Sequence, residues 1–383
     1  MSGAPRIEGW CAAGFEVMRE ALAENLRDPQ EIGQAVSVYL DGEAIVDLWG
    51  GYRDAQRTDP WAEDTWACFF SVGKPIAALA AANALADAGV SFEQRVADLW
   101  PDYAQAGKAQ TTIDQVFSHL ASVPGAFAAV PGDAYDWDAM IGAIEHQAPL
   151  WPIGSRGCYH TFTYGHLVGE LARRATGKPI GALVRERIAA PLTLELGFGL
   201  SPEAQLRCAD VQITPDDPLL GAIRDSTTLI GRCWQALPLA SGEEDFNSVR
   251  CREALMPSFN GHGTARALAK LYSALSLALD ERPGEHAFSP TLLRALTEEQ
   301  WSGTDALGLH NRMGRGFRLS NDYSPFNHGP RAFGHSGIGG ALAFGDPDQG
   351  LGFGFVTNRL APGPGASPNA TRLVNALITA TSK

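Results

Sequence analysis

The chain has 383 residues, 45% apolar and 19% charged, a balance that excludes a disordered or fibrous protein. Its length suits one large unit of two lobes, or two domains. A net charge of −13, a sequence pI of about 5.1 and the lack of any basic stretch argue against nucleic acid and anionic membrane surfaces as partners.

The opening MSGAPRIEGWCAAGFEVM has no basic head followed by an apolar run, so no secretory signal is expected. No apolar run approaches membrane-spanning length; even IAALAAANALADAG carries Asn83 and Asp87. Cys11, Cys68, Cys158, Cys208, Cys233 and Cys251 are scattered, with no C-x-x-C and no zinc spacing. They read as reduced, mostly buried thiols, and the expected compartment is the cytoplasm.

In chain order, residues 10–26 have the periodicity of an amphipathic helix. AVSVYLDGEAIVDLWGGY alternates around Asp41-Gly42, a strong hairpin signal, and predicts two antiparallel strands. FFSVGKPIAALA opens a helix: Ile76, Leu79, Ala80 and Ala84 keep helical spacing, and Pro75 is tolerable in a first turn. Tyr164, Leu167, Val168, Leu171 and Ala175 form a second stripe, closed by Arg173, Arg174 and Gly177. Residues 200–262 are turn-rich and poorly periodic. Leu268, Leu271, Tyr272, Leu275 and Leu279 form a third stripe, with Thr264 as N-cap. GHSGIGG suggests an edge strand, GALAFGDPDQGLGFGFVTN a hairpin about DPDQG, and ATRLVNALITATSK a terminal helix.

The fold class expected is therefore α/β (α+β). Residues 1–70 and 300–383 would build an antiparallel sheet flanked by helices, and residues 71–299 an inserted, mainly helical lobe.

Ser71 and Lys74 lie three residues apart at a helix start, so they share a face. The plain reading is an N-cap serine and a solvated lysine. The chemical reading is a nucleophile and its base, which requires a lysine whose pKa is lowered by burial. Phe69, Phe70 and Ile76 supply an apolar setting for it. The other lysines, Lys108, Lys178, Lys270 and Lys383, have Gln105, Ala175, Ala267 and Ala380 at the same spacing. A rival nucleophile is Ser336, since GHSGIG loosely matches G-x-S-x-G. Against it, the fifth position is Ile338, and no histidine follows His335 to complete such a triad.

Several segments fall in one order: LWGGYRD, the S-V-G-K at 71–74, FSHLASVPG, YHTFTYGHL, AAPLTLELGFG, FNGHGTARALAKLY, GHSGIGG and FGDPDQGLGFGFVTN. In that ordered set the chain resembles the serine β-lactamase-like family, within it the class C β-lactamase-related carboxylesterases (family VIII esterases). The resemblance implies a β-lactamase/transpeptidase-like fold and hydrolysis of small to medium acyl esters. It implies Ser71 as the acylated residue, Lys74 and Tyr159 as general base and acid, and the backbone N–H groups of Ser71 and Ile338 as the oxyanion hole. Thr161, His335, Ser336 and Gly337 would bind substrate. It implies no metal or cofactor and a small-molecule ester as partner. Where lactamases carry Asn and Lys to hold the lactam amide and carboxylate, this chain has Thr161 and His335, which favours esters over lactams. A β-lactamase, a D-amino-acid peptidase, an acyltransferase or a non-catalytic ligand-binding protein of the same fold are the alternatives. The pocket walls are expected from residues 120–160 and 200–262.

Overall fold

The computed structural model describes residues 6–213, 218–237, 246–282, 286–326, 328–360 and 367–382. Its frame is a nine-stranded antiparallel sheet drawn from both ends of the chain. The strands are β1 (Ile7–Cys11), β2 (Gly33–Leu40), β3 (Glu43–Gly51), β4 (Trp301–Thr304), β5 (His310–Met313), β6 (Arg318–Leu319), β7 (Phe333–Ser336), β8 (Leu342–Asp346) and β9 (Leu351–Thr357). Their spatial order is β1-β3-β2-β9-β8-β7-β6-β5-β4. The two expected hairpins are present. Asp41 and Gly42 both have positive φ, 50° and 84°, which matches the right-handed twist of β2 and β3. Gly350, at φ 60°, closes the turn between β8 and β9.

One face packs on α1 (Glu16–Asn25) and the terminal helix (Pro368–Thr381): Val36, Val38, Leu48, Phe344, Phe353 and Phe355 meet Met18, Leu22, Leu373 and Leu377. The helix expected over 10–26 is shorter than its periodicity suggests, because residues 7–11 form an edge strand. The other face carries α4 (Ala265–Leu279), capped by Thr264, whose hydroxyl accepts from Ala267 N–H. Glycine permits that contact: a Cβ at Gly352 would run into the Ala269 carbonyl, and one at Gly354 into the Ala265 carbonyl. Here the structure corrects the lobe assignment drawn from the sequence. α4 falls within 71–299 yet lies on the sheet, because its apolar stripe meets a glycine-lined surface.

A second correction concerns β7. It is an interior strand, with β6 on one side and β8 on the other. The strands beyond it, β4 to β6, are short and β4 is largely exposed, so they leave little apolar signal in the sequence.

α2 (Gly73–Asp87) and α3 (Thr163–Thr176) pair in the helical lobe. α2 is apolar around nearly its whole circumference and buried to match. Arg173 and Arg174 at the end of α3 both pair with the buried Glu170, and Gly177 closes the helix at φ 73°. All six cysteines are free thiols, buried except for the half-buried Cys11. No helix among the described residues is long and apolar enough to cross a membrane.

Candidate active site

Ser71 lies in a single 3₁₀ turn, Phe70–Val72, that leads straight into α2. Its hydroxyl caps neither the turn nor the helix, which removes the plain reading of an N-cap serine. The preceding Phe70 is in the left-handed region, at φ 48°. A bulky residue there is strained, and such strain persists only where the surroundings impose it. The Phe70 ring is fixed edge-on to Phe246 and Phe259, at 6.1 and 5.3 Å between centroids.

Lys74 is fully buried, because α2 enters the core in its first turn. Its Nζ donates to the carbonyls of Thr161 and Ser258, at 2.8 and 2.9 Å, and lies 3.1 Å from Ser71 Oγ. Burial, aided by the Arg318 charge, holds its pKa well below the usual lysine value. A neutral amine has two N–H groups and one lone pair. The carbonyls can only accept, so they take the N–H groups and leave the lone pair for the Ser71 hydroxyl.

Tyr159 stands beside this pair, its ring centroid 4.8 Å from Lys74 Nζ. Burial pushes its phenol up to about 12, with the Arg318 charge and the Ser71 hydroxyl pulling the other way. It is therefore a protonated phenol at neutral pH. Its OH lies 3.3 Å from His335 Nε2. His335 Nδ1 is 2.6 Å from the Ser336 carbonyl, which can only accept, so Nδ1 carries the proton and Nε2 accepts from Tyr159. Burial, with Arg318 and Lys74 near, holds His335 well below its usual pKa and hence neutral.

The end of β7 passes close to the Ser71 turn. A Cβ on Gly337 would stand 2.5 Å from the Phe69 carbonyl, so only glycine lets the strand end pass this close to the Ser71 turn. Among the described residues neither Ser71 N–H nor Ile338 N–H has a turn, loop or side-chain acceptor.

Ser71, Lys74, Tyr159, His335 and Gly337 thus converge in space. The Thr161 carbonyl anchors Lys74, and its side chain is buried. Ser336, the rival nucleophile, contributes the carbonyl that orients His335.

Three participants escaped sequence reasoning. Ser258 supplies its carbonyl to Lys74 and its hydroxyl to Gly165 N–H at 2.7 Å, locking α3 to the site. Asp305 is buried, and its carboxylate accepts Tyr159 N–H at 2.9 Å and the N–H groups of Leu307 and Leu309. Arg318 on β6 places its guanidinium 5.0 Å from the Tyr159 ring centroid. Ser258 sits in the aperiodic stretch, and Asp305 and Arg318 in the weakly patterned segment of β4 to β6, so no local signal marks them. A buried aromatic cluster of Phe162, Trp234, Phe246 and Phe259, packed against Phe70, also comes partly from 200–262. Within that stretch, residues 214–217 and 238–245 lie outside the described residues.

The sequence model of the Beta-lactamase family matches residues 18–378. The chain is 32% identical to "Esterase/beta-lactamase LipL" of Mycobacterium tuberculosis over 371 residues, covering 93% of this chain and 83% of that protein. Among solved structures it resembles a penicillin-binding protein homologue from Caulobacter crescentus, with TM-score 0.87, 34% identity, and coverage of 98% of this chain and 100% of that one. It also resembles a family VIII carboxylesterase, with TM-score 0.85, 34% identity, and coverage of 97% and 98%.

Proposed function

The chain belongs to the Beta-lactamase family and is a serine hydrolase, and we propose that it is a carboxylesterase acting on small to medium acyl esters through an acyl-enzyme on Ser71. The observation that carries this reading is the buried Lys74 amine, bound to two backbone carbonyls with its remaining valence facing Ser71 Oγ. Lys74 takes the hydroxyl proton as Oγ attacks the ester carbonyl. The Ser71 and Ile338 N–H groups receive the oxyanion. The C–O bond breaks, and Lys74 and Tyr159 return a proton to the departing alkoxide. Water then enters, gives a proton to the same pair, and releases the acid and Ser71.

Esters are favoured over β-lactams on chemical grounds. An ester's alcohol departs, whereas an opened lactam stays tethered beside the acyl bond and hinders water. The buried Thr161 hydroxyl is too short to match an amide's paired donor and acceptor. His335 is neutral and offers the Tyr159 side a lone pair, so it provides no cation for a carboxylate. One missing charge-assisted hydrogen bond costs about 1.5–3 kcal/mol, roughly ten- to a hundredfold in rate. The test compares kcat/KM for a short-chain aryl ester and a chromogenic cephalosporin, with peptide mapping of the acylated residue. We expect the ester to lead by about a hundredfold or more. A cephalosporin turned over equally fast would overturn the esterase preference.

Gly337→Ala tests the oxyanion hole. The added methyl must push the strand end away from Phe69, carrying Ile338 N–H with it. Loss of one such donor typically costs about 10²–10³ in kcat. KM should change far less. A variant with near-normal kcat would remove Ile338 from the mechanism.

A further inference from the structure

β4 and β5 form a hairpin at one edge of the sheet, and β4 is largely exposed. The hairpin nevertheless meets the helical lobe through Trp301, Asp305 and Ala306. Trp301 Nε1–H donates to the Ser118 carbonyl at 2.7 Å. The same indole covers Gly157, where a Cβ would stand 2.7 Å from it. Ala306 N–H donates to the Gly157 carbonyl at 3.1 Å. Asp305 is 1% exposed, and its Oδ2 accepts Tyr159 N–H at 2.9 Å and the Asn311 amide at 3.3 Å. Its Oδ1 accepts the N–H groups of Leu307 and Leu309, at 2.8 and 2.9 Å, and so shapes the turn that carries Ala306.

The sheet therefore holds Tyr159 at both ends. The phenol donates to His335 Nε2 on β7, and the backbone N–H donates to Asp305 on the hairpin. β6 and β5 lie between these two anchors, so both ride on one hydrogen-bonded frame. A tyrosine gripped at one end only would swing with its loop. Proton return to an alkoxide requires the donor within hydrogen-bond reach, and a displacement of about 1 Å can cost about a hundredfold.

We propose that the β4–β5 hairpin is a brace between the lobes and that Asp305 is a positioning residue, which holds the Tyr159 phenol where it protonates the departing alkoxide. This rests on the ester-hydrolase reading above. A carboxylate suits the task because both of its oxygens accept, and N–H groups face it from two sides. An amide at this position presents an oxygen to one side and an NH2 group to the other. Whichever way it turns, either Tyr159 N–H or the turn of Ala306 loses its acceptor.

The experiment reads the dependence on the leaving group. 4-Nitrophenolate departs without a proton, whereas an alkoxide needs one. The 4-nitrophenyl and ethyl esters of the same short acid are compared by kcat/KM, which reports acylation. Active sites are counted by fluorophosphonate titration carried to completion, so that misfolded protein does not enter the rates. Asp305→Asn should lower kcat/KM for the ethyl ester by about ten- to a hundredfold, and for the 4-nitrophenyl ester by less than about threefold. Removing the carboxylate also alters the field at Lys74, but that change acts on the attack step of both esters. In a Tyr159→Phe background the same substitution should have little further effect, because the phenol it positions is gone. A merely structural role predicts losses that are equal for the two esters and that persist in that background. Trp301→Phe keeps a ring over Gly157 and deletes the N–H to Ser118. It should show the same signature at about a few-fold, and it decides the matter if Asp305→Asn does not fold. Equal losses on the two esters, losses undiminished by Tyr159→Phe, or no loss in either variant would overturn the inference while the esterase reading stands. A wild-type protein that neither ester acylates on Ser71 would overturn both.

Discussion

Ser71→Ala should yield a folded protein that has lost at least about 10⁴ of its ester kcat. The substitution removes one oxygen from a nearly buried site and leaves the two carbonyl bonds of Lys74 in place. The fold should therefore hold, with near-UV circular dichroism unchanged and Tm shifted by only a few degrees. Binding and the backbone N–H groups remain, but no atom is left to form the acyl-enzyme, so the residual rate reflects water alone. The measurement is kcat on an aryl ester, with intact-mass detection of the acylated species. Retention of more than a few per cent of wild-type turnover, or acylation mapped to Ser336, would sink the assignment of the nucleophile.

Lys74 and Tyr159 should behave as one proton-transfer unit. Each single loss, Lys74→Met or Tyr159→Phe, should lower kcat by about 10³ or more, and the double variant should be little worse than either. Met is preferred to Ala because it keeps the volume of a fully buried side chain. It still leaves the Thr161 and Ser258 carbonyls without their donor, at about 1–3 kcal/mol each, so stability must be measured alongside. The pH profile gives an independent reading. The Lys74 pKa is depressed, so the amine is the active form above that value and is lost by protonation below it. kcat/KM should rise with pH along a single acid limb and then level off. The Tyr159 phenol is pushed up to about 12, so no alkaline limb should arise from it below about pH 10. Lys74→Met should abolish the acid limb. Multiplicative losses in the double variant, or an acid limb unchanged by Lys74→Met, would separate the two residues.

Much of this protein is determined by its sequence read locally. The hairpin at Asp41-Gly42, the stripe of α3 with its closing Gly177, and the Thr264 cap of α4 are all written within a few neighbouring residues. So is the Ser71–Lys74 pair, since residues three apart at a helix start share a face wherever the helix goes. The ordered motifs extend this to Tyr159 and His335, which one element alone would never connect.

What only the tertiary structure decides is the chemical state of those groups. Whether Lys74 is a solvated cation or a buried base depends on the all-round burial of α2 and on a carbonyl at Ser258, 184 residues away in sequence. The placement of Tyr159 depends on Asp305, 146 residues distant, and the neutrality of His335 on the same burial and on Arg318. None of these partners carries a periodic or turn signal. The physical reason is one of range. Propensity, capping and turn chemistry act over one or two turns of chain. Desolvation and Coulomb interaction act through space, on whichever groups the packing of sheet and helices brings within a few ångströms.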